Sequence, residues 1–185
     1  MFIVFEGIDG CGKSTHAKLL SAWMRESDRD VLLTAEPTKG ELGALIRRVL
    51  GGVVAMSPKT LALVFTADRC EHVQQIRKAL SEGKDVVCER YFYSTVAYQS
   101  AQGVDRQWLL DINGFAPKPD IVFFLDVDAK SAEERTFTGE IFEKKEFLEK
   151  VKKEYMKFTG FKIIDTSKNK EEVQKDIQGI VESLF

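Results

Sequence analysis

The sequence predicts an α/β protein, a doubly wound sheet of five parallel strands flanked by helices. Three observations predict it. Short apolar runs at residues 2–5, 31–33, 85–88, 121–126 and 161–164 alternate with stretches of helical period, the order that builds a parallel sheet covered on both faces. The first run leads directly into Gly7-Ile8-Asp9-Gly10-Cys11-Gly12-Lys13-Ser14, which fits G-x-x-x-x-G-K-[ST] without a mismatch and is followed by a helical stretch. The chain has 185 residues, 44% hydrophobic and 30% charged, which suits a single globular domain over residues 1–185 with enough core to need no staples.

Each element has a local reason. Phe2-Ile3-Val4-Phe5 is short and apolar, as a strand buried on both faces is. Residues 15–27 carry Ala17, Leu20, Trp23 and Met24 at helical spacing. Val31-Leu32-Leu33 is the second strand and runs into the turn Thr34-Ala35-Glu36-Pro37-Thr38, where Pro37 pushes Glu36 toward an extended conformation. Residues 41–50 place Leu42, Leu45, Ile46 and Val49 on one helical face, and Gly51-Gly52 ends that helix. Ser57 as N-cap and Pro58 in the first turn open a long helix reaching about residue 82, with Gly83 at its C-terminal end.

The third strand, 85–88, ends at Glu89-Arg90-Tyr91, and a helix over 94–102 follows. Residues 105–112 form a further short helix, and Pro117-Lys118-Pro119 is a turn. Residues 121–126 are the clearest strand of the chain. A helix of at most one or two turns is expected at 131–135, a loop at 136–142, and an amphipathic helix at 143–158. The strand at 161–164 and a helix over 170–184 close the chain.

The glycine-rich turn carries the first chemistry. Gly7, Gly10 and Gly12 let the backbone approach an anion closely, and the helix N-terminus adds partial positive charge. Lys13 reaches β- and γ-phosphates, and the Ser14 hydroxyl suits Mg²⁺. Residues Gly7, Ile8, Asp9, Gly10, Cys11, Gly12, Lys13, Ser14 and Thr15 therefore form the expected nucleoside-triphosphate-binding segment. Ligands of doubly wound sheets bind beyond the carboxyl ends of the strands, so one rim should gather Asp9, Lys13, Glu36, Glu89, Arg90, Asp126 and Asp165.

A second set of polar residues lies away from this turn. Phe65 and Arg69 are four apart on the long helix and share a face. Such a pair can hold a base, one by stacking and one by hydrogen bonds, or it can be core beside a salt-bridged surface residue. Arg90 follows a buried strand, where a guanidinium can hold phosphoryl oxygens. Glu89 can touch Mg²⁺ through water or pair with Arg90. Ser94 and Tyr98, and Thr95 and Gln99, are pairs one turn apart, which makes either a pocket wall or a solvated face.

The segments FEGIDGCGKST (5–15), TAEPT (34–38), FTADRCEHV (65–73), ERYFYSTVAYQ (89–99), FFLDVD (123–128) and IFEKKEFLEKVKKEY (141–155) together resemble the thymidylate kinase family over nearly the whole chain. The resemblance implies a P-loop nucleoside-monophosphate-kinase core, γ-phosphoryl transfer from ATP to dTMP with Mg²⁺, and a homodimer. It implies Asp9, Lys13, Arg90 and Arg135 as catalytic residues, and Ser14, Asp9 and Glu89 around the metal. It places the dTMP phosphate on Arg47 and Arg90, thymine on Phe65 with Arg69 at a carbonyl, and Thr95 and Gln99 along the base. It puts Tyr98 near the sugar 2′ position and Asp9 near the acceptor as well as the metal, with Glu36 and Ser94 completing the pocket. A short lid is implied at about 135–143.

The sequence departs from the family at three points. Glu89-Arg90-Tyr91 stands where Asp-Arg-Tyr is usual, and Ala35 where many bacterial members carry arginine. Members usually place a catalytic arginine in the phosphate loop or in the lid, whereas here the loop position is Gly10 and residues 136–142 contain no basic residue. Arg135 is the nearby arginine. An arginine at the transferring phosphoryl is worth roughly 10³–10⁵ in rate, so a slow enzyme or a substitute cation is expected.

Other classes are weighed against this. A nucleotide-dependent switch also uses the glycine-rich turn, but no Asn-Lys-x-Asp guanine motif is present. A kinase acting on dUMP or on a broader set of monophosphates is the nearer alternative. The net charge of −2 speaks against a broad nucleic-acid or membrane surface, and no apolar run is long enough to span a bilayer. The early Glu6 leaves no room for a signal peptide, and Cys11, Cys70 and Cys88 lack framework or metal spacing, which suits the cytoplasm. His16 and His72 are not needed for the chemistry.

Overall fold

A computed structural model describes residues 1–128 and 145–184. Five strands form one parallel sheet in the order β2-β3-β1-β4-β5: β1 Phe2–Glu6, β2 Val31–Ala35, β3 Asp85–Glu89, β4 Ile121–Asp126 and β5 Lys162–Asp165. Among the described residues seven helices connect and flank them: α1 Lys13–Glu26, α2 Glu41–Leu50, α3 Pro58–Ser81, α4 Phe92–Ala101, α5 Arg106–Ile112, α6 Lys145–Tyr155 and α7 Lys170–Glu182. The expected doubly wound α/β architecture is the observed one.

The central strand explains the layering. All five residues of β1 are buried, and their side chains alternate between the two sheet faces. Ile3 and Phe5 join the cluster that contains Leu20 and Met24 of α1 and Ile177 of α7. Phe2 and Val4 join the cluster with Val73 and Ile76 of α3. The register sets Phe5 level with Glu89, and Ala35 level with Glu89 from the other side. The loops after β1, β2 and β3 therefore leave one edge at the same height.

Most helix ends obey the local signals. Ser57 caps α3 by accepting the Thr60 N–H at 3.1 Å, and Gly83 turns the chain with φ 79. Several expected boundaries move by a residue or two, and two of the shifts have a visible local cause. Helix α4 begins at Phe92 rather than 94, because Glu6 of β1 accepts the N–H groups of Tyr91 and Ser94 and stabilises an earlier first turn. Helix α6 ends at Tyr155 rather than 158, and the chain turns at Gly160 with φ 83. The expected helix at 131–135, the loop at 136–142, the lid at about 135–143 and Arg135 lie outside the described residues.

Gly43 fixes how α2 meets the turn after β2. A Cβ there would fall 1.9 Å from the Thr38 carbonyl oxygen, a backbone overlap that no rotamer relieves. Gly43→Ala is expected to lower stability by about 1–3 kcal/mol, read as a lower urea midpoint. It should also raise the KM for the acceptor, because Glu36 and Pro37 of the same turn line the cavity described next.

Candidate active site

The glycine-rich turn after β1 closes around Lys13. Its ammonium donates to the carbonyls of Ile8 at 2.8 Å and Gly7 at 3.1 Å, and it lies 3.6 Å from the Cys11 sulfur. Lys13 and Ser14 are the first residues of α1, so the helix's unsatisfied N–H groups face the same concavity. A Cβ on Gly7 would meet both Cys11 Sγ and the Leu125 carbonyl at 2.7 Å, and this contact requires glycine. Gly10 has φ 80, a left-handed conformation in which a side chain would be strained, so an arginine is poorly suited to this position. Ser14 donates its hydroxyl proton to Glu89 at 2.7 Å. The expected pair of Glu89 with Arg90 does not form; Glu89 takes Ser14 and Arg90 takes Asp9.

Arg90 turns instead to the phosphate loop. It forms an ion pair with Asp9 and donates to Ser94 Oγ at 3.0 Å and to the Gly7 carbonyl at 3.4 Å. Tyr98 donates to the other Asp9 oxygen at 2.7 Å. Burial pushes the Asp9 carboxyl up, but the charges of Arg90 and Lys13 and these hydrogen bonds outweigh it and hold the group at about 2. The stability from Asp9 is therefore present above the ordinary value of 3.8 and is lost only as pH falls toward 2. Arg90 itself sits at φ 64, an uncommon conformation for a non-glycine residue that clusters at functional sites.

One cavity of about 300 Å³ opens beside this ion pair. Its walls include all ten residues expected around an acceptor: Asp9, Glu36, Arg47, Phe65, Arg69, Arg90, Ser94, Thr95, Tyr98 and Gln99. Three loops and three helices supply them. The α4 pairs are thus a pocket wall, not a solvated face. Arg69 is 1% exposed; it holds Glu36 at 2.6 and 2.8 Å, Asn113 at 2.5 Å and Thr95 at 3.0 Å. The alternative of an exposed, salt-bridged Arg69 is excluded. Gln99 is fully buried, and its Oε1 has no hydrogen-bond partner among the described residues.

Comparison with known proteins decides the family. The thymidylate kinase family profile matches residues 5–177. The chain belongs to the thymidylate kinase family. Probable thymidylate kinases of Methanocaldococcus jannaschii and Pyrococcus horikoshii are 47% and 44% identical to it; the alignments cover 100% and 97% of this chain and 97% and 95% of theirs. The thymidylate kinase structure from Candida albicans superposes with a TM-score of 0.85 at 29% identity, covering 98% of this chain and 91% of that one. The chain is accordingly a kinase, a phosphotransferase that uses ATP.

Within the family frame, several expected rim residues have other duties. Asp126 pairs with Lys152 of α6. Asp165 accepts the Ser167 N–H at 2.9 Å. Asp9 is bound to Arg90 and Tyr98, and no hydrogen bond joins it to Ser14 or Glu89 among the described residues. His16 meets Gln174 of α7 at 2.9 Å. His72 is buried between Thr34 at 2.7 Å and Glu36 at 2.9 Å, so it holds the cavity floor from beneath.

Sequence reasoning missed the buried partners. Asn113 accepts from Arg69, and Asp68 accepts from the Thr38 N–H at 2.8 Å and its hydroxyl at 2.6 Å. Glu6 and Tyr155, neither of them exposed, lie behind Arg90. Their partners are 30–149 positions away in sequence, beyond any periodic pattern. The one available signal was a charged residue, Glu6, at the end of an otherwise apolar strand.

Proposed function

We propose that the kinase transfers the γ-phosphoryl group of ATP to dTMP, giving dTDP and ADP. The observation that carries this is the single cavity lined by all ten expected acceptor residues and joined to the phosphate loop through Arg90 and Asp9. Lys13 and the α1 N-terminus hold the donor phosphates. Arg47 and Arg90 hold the acceptor phosphate against them. Thymine stacks on Phe65, Arg69 meets a carbonyl, and a base N–H satisfies the unpartnered Gln99 Oε1. Tyr98 occupies the space that a ribose 2′-hydroxyl would need.

The acceptor is already an anion, so no strong base is required. An acceptor oxygen forms a bond to the γ-phosphorus while the bond to the β,γ-bridging oxygen breaks and its electrons stay with ADP. Catalysis is alignment and charge neutralisation. Mg²⁺ needs hard oxygen donors and is usually bound through few protein groups plus phosphates. The Ser14 hydroxyl and the Glu89 carboxylate, 2.7 Å apart, fit that demand and would hold the ion, Glu89 through water. When bound, Mg²⁺ neutralises the phosphate oxygens. Asp9 is not part of this pair. Arg135 is the candidate for the cation that the loop lacks.

The remaining assignments follow the same family logic: one domain over residues 1–185, a homodimer, and a cytoplasmic setting consistent with the free thiols of Cys11, Cys70 and Cys88. Among the described residues no helix is long and apolar enough to cross a membrane.

An acceptor panel with purified protein tests the proposal. ADP release from ATP is expected to depend on dTMP and to yield dTDP, with ribosyl-thymine monophosphate a poor acceptor. The Candida albicans enzyme has broad substrate specificity, and the thymine methyl is worth only about 1–3 kcal/mol. Turnover of dUMP within about 10–200-fold of dTMP is therefore expected. Vigorous ATP hydrolysis without dTMP and without dTDP would overturn the proposal, and nucleotide binding with no turnover on any acceptor would favour a switch.

A further inference from the structure

We propose that Glu6 is a positioning residue for the acceptor clamp, fixing both the backbone and the guanidinium of Arg90. The inference rests on Arg90 holding the acceptor phosphate, as proposed above. Glu6 is fully buried, where an ionised carboxylate survives only if its oxygens are satisfied. Four donors satisfy it: the Tyr91 N–H at 2.8 Å, the Ser94 N–H at 3.3 Å, the Ser94 hydroxyl at 2.7 Å and the Tyr155 hydroxyl at 2.8 Å.

Three of these bear on Arg90. Its left-handed backbone is pinned on one side by its own N–H to the Phe5 carbonyl at 2.9 Å. On the other side it is pinned by the next N–H to Glu6. Its Nη1 donates to Ser94 Oγ, and the Ser94 hydroxyl in turn donates to Glu6. The fourth donor, Tyr155, ties this arrangement to α6. An ordinary helix start would carry its own serine or aspartate cap at position 91. Here Tyr91 gives no side-chain cap, and the cap comes from the residue that precedes Gly7. One carboxylate thus holds the first glycine of the donor loop and the arginine of the acceptor site in fixed relation. Burial raises the Glu6 carboxyl above its ordinary value, and these hydrogen bonds and Arg90 oppose it only in part.

A double-mutant cycle tests this with ATP, Mg²⁺ and dTMP. Glu6→Gln keeps the volume but presents an N–H₂ where only acceptors fit. It is expected to lower kcat by about 10-fold or more and to raise the dTMP KM, with the ATP KM held within about twofold, since small misplacements of a clamp are costly. In an Arg90→Ala background, Glu6→Gln is expected to change nothing further, the signature of residues acting as one unit. If Glu6→Gln does not fold, Tyr155→Phe carries the same cycle, with a several-fold loss that also vanishes without Arg90. Losses that multiply in the double variant, or an equal rise in the ATP KM, overturn the inference while leaving Arg90 in its role. An Arg90→Ala enzyme with undiminished turnover overturns the role of Arg90 and this inference together.

Discussion

Arg90→Ala is expected to reduce turnover with dTMP by about 10²–10³-fold, the cost of removing a preorganised charge from a developing phosphoryl transition state. The ATP KM should change little, because the guanidinium leans on the donor loop only through Asp9 and the Gly7 carbonyl. The dTMP KM should rise. Arg90→Lys should recover only part of the loss, since an ammonium cannot bridge Asp9 and Ser94 as a planar fork can. Steady-state kinetics varying each substrate at saturation of the other separates these effects. Turnover near the unmutated value would remove Arg90 from the reaction.

Lys13→Ala is expected to be as severe, and on the opposite substrate. Lys13 is 4% exposed and its ammonium is held by two loop carbonyls, so its position is set before any nucleotide arrives. Its loss should lower kcat/KM for ATP by about 10³-fold and leave dTMP affinity, measured by calorimetry, within about twofold. A fall in dTMP affinity of the same size as that for ATP would mean that the loop and the cavity do not act as separate sites. The two variants together establish which cation serves which nucleotide.

The fold was legible because its elements are written locally. The five apolar runs become the five strands, and Ser57-Pro58 opens α3 as capping chemistry requires. The cavity wall was legible only in part: helical spacing put Phe65 with Arg69, and the α4 residues, on shared faces but left a core or solvated reading open, and the family resemblance chose between them; all of them line one cavity. What stayed hidden depends on pairings across the chain. Glu89 takes Ser14 and Arg90 takes Asp9, a choice that the adjacency of the two residues in sequence does not reveal. The left-handed φ of Arg90 follows from contacts with β1 at residues 5 and 6, more than eighty positions earlier. The early start of α4 follows from the same contacts.

The adjacency of β1 and β3 has a further consequence. The donor loop leaves β1 and Arg90 leaves β3, and these strands are hydrogen-bonded neighbours in register. On the proposed roles, the span between the two nucleotides is set by the spacing of a strand pair, about 4.8 Å, in the interior of the sheet. Such a frame counts phosphates. An acceptor that already carries two would push its base out of the Phe65 cleft or its terminal phosphate into the loop, so the product should not be phosphorylated a second time.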